Sequence, residues 1–216
     1  MLDFAAERGI PLETIHFLEG GTLPSSRDYS ALLALGGSMN VYEEDKYLWL
    51  APETQFISEW VGAGKPYLGL CLGGQLLAKA VGGRVTKNAR KEIGNFEVQL
   101  TSAGQQDPIF SGFPAKFPVF QWHGDTFSDL AGGECLGSSA WCAHQAFRIG
   151  EKAYGLQFHV EITQAMAKEW LHEYNMELID EKLNPQEIFD EFARLESHYA
   201  TLSEQLFSNF FQVAGL

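Results

Sequence analysis

Cys71, His159 and Glu161 are the residues whose types and surroundings could carry covalent chemistry in this chain. Cys71 stands between an apolar run, Tyr67-Leu68-Gly69-Leu70, and a segment with helical spacing from Leu72 to Val81. A strand that becomes a helix within one residue needs small neighbours, and Gly69, Gly73 and Gly74 supply them. Such an elbow holds its side chain at the positive end of a helix, where thiolate is favoured over thiol. The plainer alternative is a structural cysteine, because free cysteines are among the most buried residues. Far downstream, Gly155-Leu-Gln-Phe-His159-Val-Glu161 reads as a strand on which His159 and Glu161 share a face. A cysteine nucleophile needs a base and a group that orients the base, and this pair has both types. A strand histidine by itself is more often structural; the neighbouring carboxylate and the distant elbow turn the reading toward nucleophilic catalysis.

The elements that must position these residues follow from periodicity and turn signals. Met1 to Gly9 reads as the end of an amphipathic helix closed by Gly9, and Thr14 to Leu18 as a strand. Ala31 to Leu35 is a short buried strand ending at Gly36-Gly37, and Lys46 to Val61 has helical spacing in Leu48, Leu50, Phe56, Ile57, Trp60 and Val61. Strand and helix in alternation predict a parallel sheet covered on both faces. Beyond Gly82-Gly83, short strands at Arg84–Lys87, Ile93–Thr101, Lys116–Trp122, Glu134–Ala140, Ala146–Ile149 and Tyr154–His159 predict antiparallel hairpins added to that sheet. From Thr163 the chain reads as helical. Asn184-Pro185-Gln186-Glu187 offers a cap, a first-turn proline and a capping glutamate. Ile188, Phe192, Leu195, Tyr199, Leu202, Leu206 and Phe210 then form one stripe, read as packing within the chain.

A doubly wound α/β domain normally opens on a strand, and this chain opens on what reads as its first helix. Either its start lies upstream or the fold does without that strand, which would leave an exposed sheet edge. With 216 residues there is room for one well-buried domain and an appendage. We divide it into a domain over residues 1–165 and a C-terminal helical extension over 166–216. The net charge of −13 argues against nucleic acid or an anionic membrane as partner. Cys71, Cys135 and Cys142 lack metal-ligand spacing and are an odd set, so no metal or disulfide framework is expected, and a reducing, cytoplasmic setting is. Cys135 and Cys142 read as packing residues.

With these residues in place, the chain resembles the triad-type (class I) glutamine amidotransferases. A G-x-C-x-G-x-Q elbow is matched by Gly69, Cys71, Gly73 and Gln75, and an H-x-E triad end by His159 and Glu161. Leu35-Gly36-Gly37-Ser38-Met39 and Gln121-Trp122-His123-Gly124-Asp125 make it similar to freestanding, GMP-synthetase-like members, over roughly residues 1 to 165. The resemblance implies a flavodoxin-like, doubly wound, mostly parallel sheet with added antiparallel hairpins. It implies that Cys71 attacks the glutamine side-chain amide, giving a γ-glutamyl thioester and ammonia, while His159 shuttles protons and Glu161 holds it. The backbone N–H groups of Gly37 and Leu72 would form the oxyanion hole, a contribution of about 3 kcal/mol per donor. Gly36-Gly37 has its own physical reason, since backbone approaching a substrate leaves no room for a side chain. Gln75 would help hold the α-amino or α-carboxylate end of the substrate, and Gly36 would border it. His123 and Asp125, read as lying on a loop after a strand, either contact substrate or brace that loop. Gln145-Ala146-Phe147 is read as structural, and no cofactor is implied.

Two versions of this chemistry compete: a glutaminase feeding ammonia to a separate synthetase subunit, and a self-sufficient hydrolase of γ-glutamyl peptides or amides. A catalytically silent binding module of the same fold is a different class, as is a cysteine peptidase acting on proteins. The intact set of Cys71, His159 and Glu161 argues against the silent module.

Overall fold

In the computed structural model, which describes residues 2–216, the apolar run before Cys71 is a strand buried at every position. This strand, β2 (Tyr67–Leu70), lies between β1 (Leu32–Ala34) and β7 (Ala153–Leu156), parallel to both. From β7 the sheet continues antiparallel through β6 (Ala146–Ile149), β5 (Gly133–Ser138) and β3 (Arg84–Leu100) to β4 (Lys116–Ser128). The fold is therefore the expected α/β architecture, a parallel core widened by antiparallel strands.

Alternation along β2 sends its side chains to two cores. Tyr67 joins Leu50, Ile57 and Trp60 of α2 (Leu50–Gly62) and Leu72, Leu76 and Leu77 of α3 (Leu72–Ala80). Leu68 and Leu70 face the other layer, with Phe4 of α1 (Leu2–Glu7) and Leu206, Phe207 and Phe210 of α6 (Pro185–Ala214). A third cluster joins Ile93 and Phe120 of the β3–β4 hairpin to Leu171 of α4 (Gln164–Glu173), Leu178 of α5 (Asn175–Asp180) and Phe192 and Tyr199 of α6. The α6 stripe thus packs within the chain, as its spacing predicts. Its start is capped by Asn184, whose side chain accepts the Gln186 N–H at 3.0 Å while its amide donates to Glu187.

Several boundaries differ from the sequence reading. Thr14–Leu18 is no strand; it holds a single short turn at Phe17–Glu19. Among the described residues β1 pairs with β2 alone, and an apolar cleft of about 780 Å³, lined by Leu12, Leu23, Leu32, Leu33 and Phe56, lies along its other side. Without a neighbouring strand the 14–18 backbone has no ladder to join. Helix α2 begins at Leu50 rather than Lys46. The segments 84–87 and 93–101 are one long strand, β3, with a register shift between Lys87 and Glu92. Strand β4 runs on to Ser128, so His123 and Asp125 sit on a strand and not on a loop. Strand β7 stops at Leu156; His159 and Glu161 lie beyond it in a bent segment tied to β4 by a bridge between Phe120 and His159. Met1 lies outside the described residues.

Candidate active site

The elbow has the geometry its glycines predict. Cys71 is the N-cap of α3, with φ 51° and ψ −107°, a conformation costing about 1–3 kcal/mol for a residue with a side chain. Its N–H donates to the Leu156 carbonyl at 2.7 Å, and its carbonyl accepts the Gln75 N–H at 3.0 Å. The first turn of α3 sits directly on the sheet. A Cβ on Gly69 would come within 2.4 Å of the Gly73 backbone, and one on Gly73 within 2.2 Å of the Ala34 carbonyl oxygen. As the first residue of α3, Leu72 has an N–H with no acceptor inside the helix.

His159 reaches this elbow from just past the end of β7, the strand beside β2. Its backbone N–H and carbonyl both pair with Phe120, at 2.8 and 2.9 Å. Its Nδ1 lies 2.6 Å from Glu161 Oε1, and Glu161 Oε2 accepts the Val160 N–H at 3.0 Å. That leaves Nε2 for the thiol. Gly36 fits between the two, where an added Cβ would meet His159 Cε1 at 3.2 Å and Cys71 Cβ at 3.6 Å. Burial disfavours a charged His159 ring, but the Glu161 charge and hydrogen bonds to Cys71 and Glu161 outweigh it and raise its pKa to about 10. Burial would raise Glu161 too, yet the ring's charge and its hydrogen bonds hold that carboxyl below its ordinary value.

Around this trio lies a polar lattice that the sequence reading only partly saw. Gln157 Nε2 reaches Cys71 Sγ at 3.6 Å, and Gln75 Nε2 donates to Gln157 Oε1 at 3.1 Å. The Gln75 amide nitrogen is thus engaged within the protein. Gln157 was missed, although its place two residues before His159 was a signal. His123 Nε2 meets Glu92 Oε2 at 2.8 Å and its Nδ1 meets the Asp125 carbonyl at 2.8 Å. Both ring nitrogens are occupied by protein groups. Glu92, fully buried, also accepts from Gln145 at 2.6 Å and from Ser139. It comes opposite His123 through the β3 register shift, which periodicity could not reveal. Asp125 is buried with Oδ2 unpartnered, and burial together with a hydrogen bond to Asp125 pushes the Tyr42 hydroxyl up to about 12.

Cys71, His159, Gly36, Gly37, Leu72, Gln75, His123 and Asp125 all line one cavity of about 270 Å³. Every residue singled out for the site, except Glu161 behind the imidazole, therefore meets at one place. Trp122, Trp170, Tyr174 and Glu177 also line it, with Trp170 on α4, Tyr174 at the junction of α4 and α5, and Glu177 on α5.

A strained cysteine elbow and a histidine–carboxylate pair thus meet at the ends of parallel strands on an α/β fold. The sequence profile of the family described as glutamine amidotransferase class-I matches residues 8–177. This chain belongs to the class-I glutamine amidotransferase family. It is 30% identical to the glutamine amidotransferase-like protein YfeJ of Salmonella typhimurium, over 83% of this chain and 77% of that protein. It is 39% identical to the glutamine-hydrolysing GMP synthase of Thermomicrobium roseum over 65% of this chain, a match spanning only 26% of the synthase. The crystal structure of a glutamine amidotransferase from Thermotoga maritima superposes with a TM-score of 0.86 at 34% identity, covering 97% of this chain and 90% of that one. Another, from Methylobacillus flagellatus, gives 0.88 at 28% identity, covering 98% and 88%.

Proposed function

We propose that this chain hydrolyses the side-chain amide of glutamine through a γ-glutamyl thioester on Cys71. One observation carries the reading: the His159 ring, fixed by Glu161 at 2.6 Å, shares the Gly36 niche with the Cys71 side chain. In this reading the thiol proton already rests on His159 Nε2 when Sγ attacks the amide carbon. The backbone N–H groups of Gly37 and Leu72 take the oxyanion, and the imidazolium returns its proton to the departing nitrogen. Ammonia leaves; water then attacks the thioester with His159 as base, releasing glutamate and restoring the thiol. Gly36 keeps the approach to sulfur open, and Asp125, with an unpartnered buried oxygen, takes the substrate's α-ammonium group. His123 holds β4 through Glu92 and Asp125 rather than meeting substrate directly.

Likeness to part of GMP synthases supports delivery of the ammonia to a separate synthetase subunit. A second version, a self-standing γ-glutamyl amide hydrolase, is favoured by the C-terminal helices, which place Trp170, Tyr174 and Glu177 in the cavity wall. Ammonia release from glutamine, followed with purified protein, tests the shared chemistry. Cys71→Ala and His159→Asn should each lower kcat by about 10⁴-fold or more while circular dichroism stays unchanged. Wild-type turnover in either variant would refute the assignment.

A further inference from the structure

Three aromatic rings stand in a row beside the imidazole. The Trp170 ring meets the His159 ring at a centroid distance of 5.0 Å and 78°. Trp122 meets Trp170 at 6.4 Å and 88°, and Tyr174 meets Trp122 at 5.5 Å and 55°. All three line the cavity that holds Cys71, and all are only partly buried, whereas Phe120 and Phe192 behind them are fully enclosed. Hydrogen bonds hold Trp122 in place. The Trp122 indole N–H donates to Glu177 Oε2 at 2.8 Å, and Lys91 anchors Glu177 Oε1 at 2.6 Å.

The position of this row relative to the proton donor decides what it can touch. The leaving nitrogen must come to the imidazole to be protonated, so whatever that nitrogen carries lies on the His159 side of the cavity. Trp170 borders His159 there. Ammonia carries nothing that would meet the rings. A volume of about 270 Å³, close to the roughly 300 Å³ at which small-molecule sites begin, holds more than a glutamyl group alone would fill.

We propose that Trp170, Tyr174 and Trp122 form a subsite for the leaving group, and that the substrates are γ-glutamyl amides of amines bearing an aromatic or bulky apolar substituent. The proposal rests on the cysteine-amidase reading above and extends it to the substrate class. Sγ bonds to the side-chain carbonyl carbon, the C–N bond at that carbon breaks, and its electron pair takes the proton from His159, so the amine departs neutral along the aromatic row. Water then cleaves the thioester to glutamate and free thiol. No oxidant, reductant or further reactant enters.

The test compares γ-glutamyl phenethylamide with γ-glutamyl methylamide, whose amines are alkyl amines differing mainly in the appended ring. In the wild type kcat/KM should be about 10-fold or more higher for the phenethylamide, the size of effect that apolar pockets give. Tyr174→Ala, and separately Trp170→Phe, should shrink that ratio several-fold. A ratio near one in the wild type, or a ratio unmoved in both variants, overturns the subsite. Loss of the triad reading looks different: Cys71→Ala would then hydrolyse both amides as well as the wild type, or glutamine and both amides would all resist hydrolysis. In that event tryptophan fluorescence titration of Cys71→Ala protein with the two intact amides still decides the subsite. Tighter binding of the phenethylamide that weakens when Tyr174→Ala is added supports it; equal affinities reject it.

Discussion

At the scale of single residues, the pairing of His159 with Glu161 makes a pH signature. His159, raised from an ordinary 6.5 to about 10, contributes stability that is fully present below 6.5 and lost as pH rises toward 10. Glu161, lowered from an ordinary 4.5, contributes stability present above 4.5 and lost as pH falls through its depressed value. The stability difference between wild type and Glu161→Gln should therefore be greatest between about 4.5 and 6.5 and decline on both sides, measured by urea unfolding across pH. In activity, Glu161→Gln should lower kcat less than His159→Asn does, because the ring is misoriented rather than absent. Thiol chemistry gives a second signature. Burial pushes the Cys135 and Cys142 thiols up, whereas Cys71 has the His159 imidazolium as its neighbour. Iodoacetamide should label Cys71 first at neutral pH, read by peptide mass spectrometry over time; equal slow labelling of all three would count against an activated Cys71.

Among elements, the elbow is the least forgiving. The start of α3 lies so close to β1 that a methyl on Gly73 would stand 2.2 Å from the Ala34 carbonyl oxygen, backbone that cannot yield cheaply. Gly73→Ala should cost about 3 kcal/mol or more, and thermal melting would register it as a large fall in Tm or as failure to fold. The β3–β4 hairpin works differently. Its register shift lets Glu92 reach His123, and the chain of Glu92, His123 and Gln145 then fixes the strand that carries Asp125 into the cavity. Helix α6 supports the same hairpin from behind, with Tyr199 donating to Asn95 at 2.8 Å and Phe192 packing on Phe120. The geometry of the cavity thus depends on a helix that contributes no residue to its lining.

For the whole molecule, the cleft along β1 is the main departure from a closed α/β sandwich. Glu53 of α2 borders it, largely buried and with Oε2 lacking a partner, and burial raises its pKa from an ordinary 4.5 to about 7. A buried carboxyl with a raised pKa prefers the proton, so it weakens the fold progressively as pH climbs from 4.5 through 7. Glu53→Gln should remove that slope and stabilise the protein by about 3 kcal/mol above pH 7, with little change near pH 4. Unfolding free energies at the two pH values check it, and an unchanged slope would show that the carboxyl finds a partner in solution. Among the described residues, no helix is long and apolar enough to cross a membrane.

Local signals were sufficient for the elbow, the His159–Glu161 pair and the α6 stripe. Glycines crowd where backbones touch, a carboxylate two residues from a histidine can reach its ring, and a helix face repeats at its own period. They failed at Thr14–Leu18, since a strand exists only if a neighbour offers hydrogen bonds, and at His159, whose position past β7 is set by a bridge to a residue 39 positions earlier. Glu92 and the Trp122–Trp170–Tyr174 row were invisible for the same cause. Taken alone, the sequence determined which residue types could do the chemistry and how their own segments bend. Only the tertiary structure decided which residues surround the thiol, because packing joins segments whose separation along the chain carries no periodic trace.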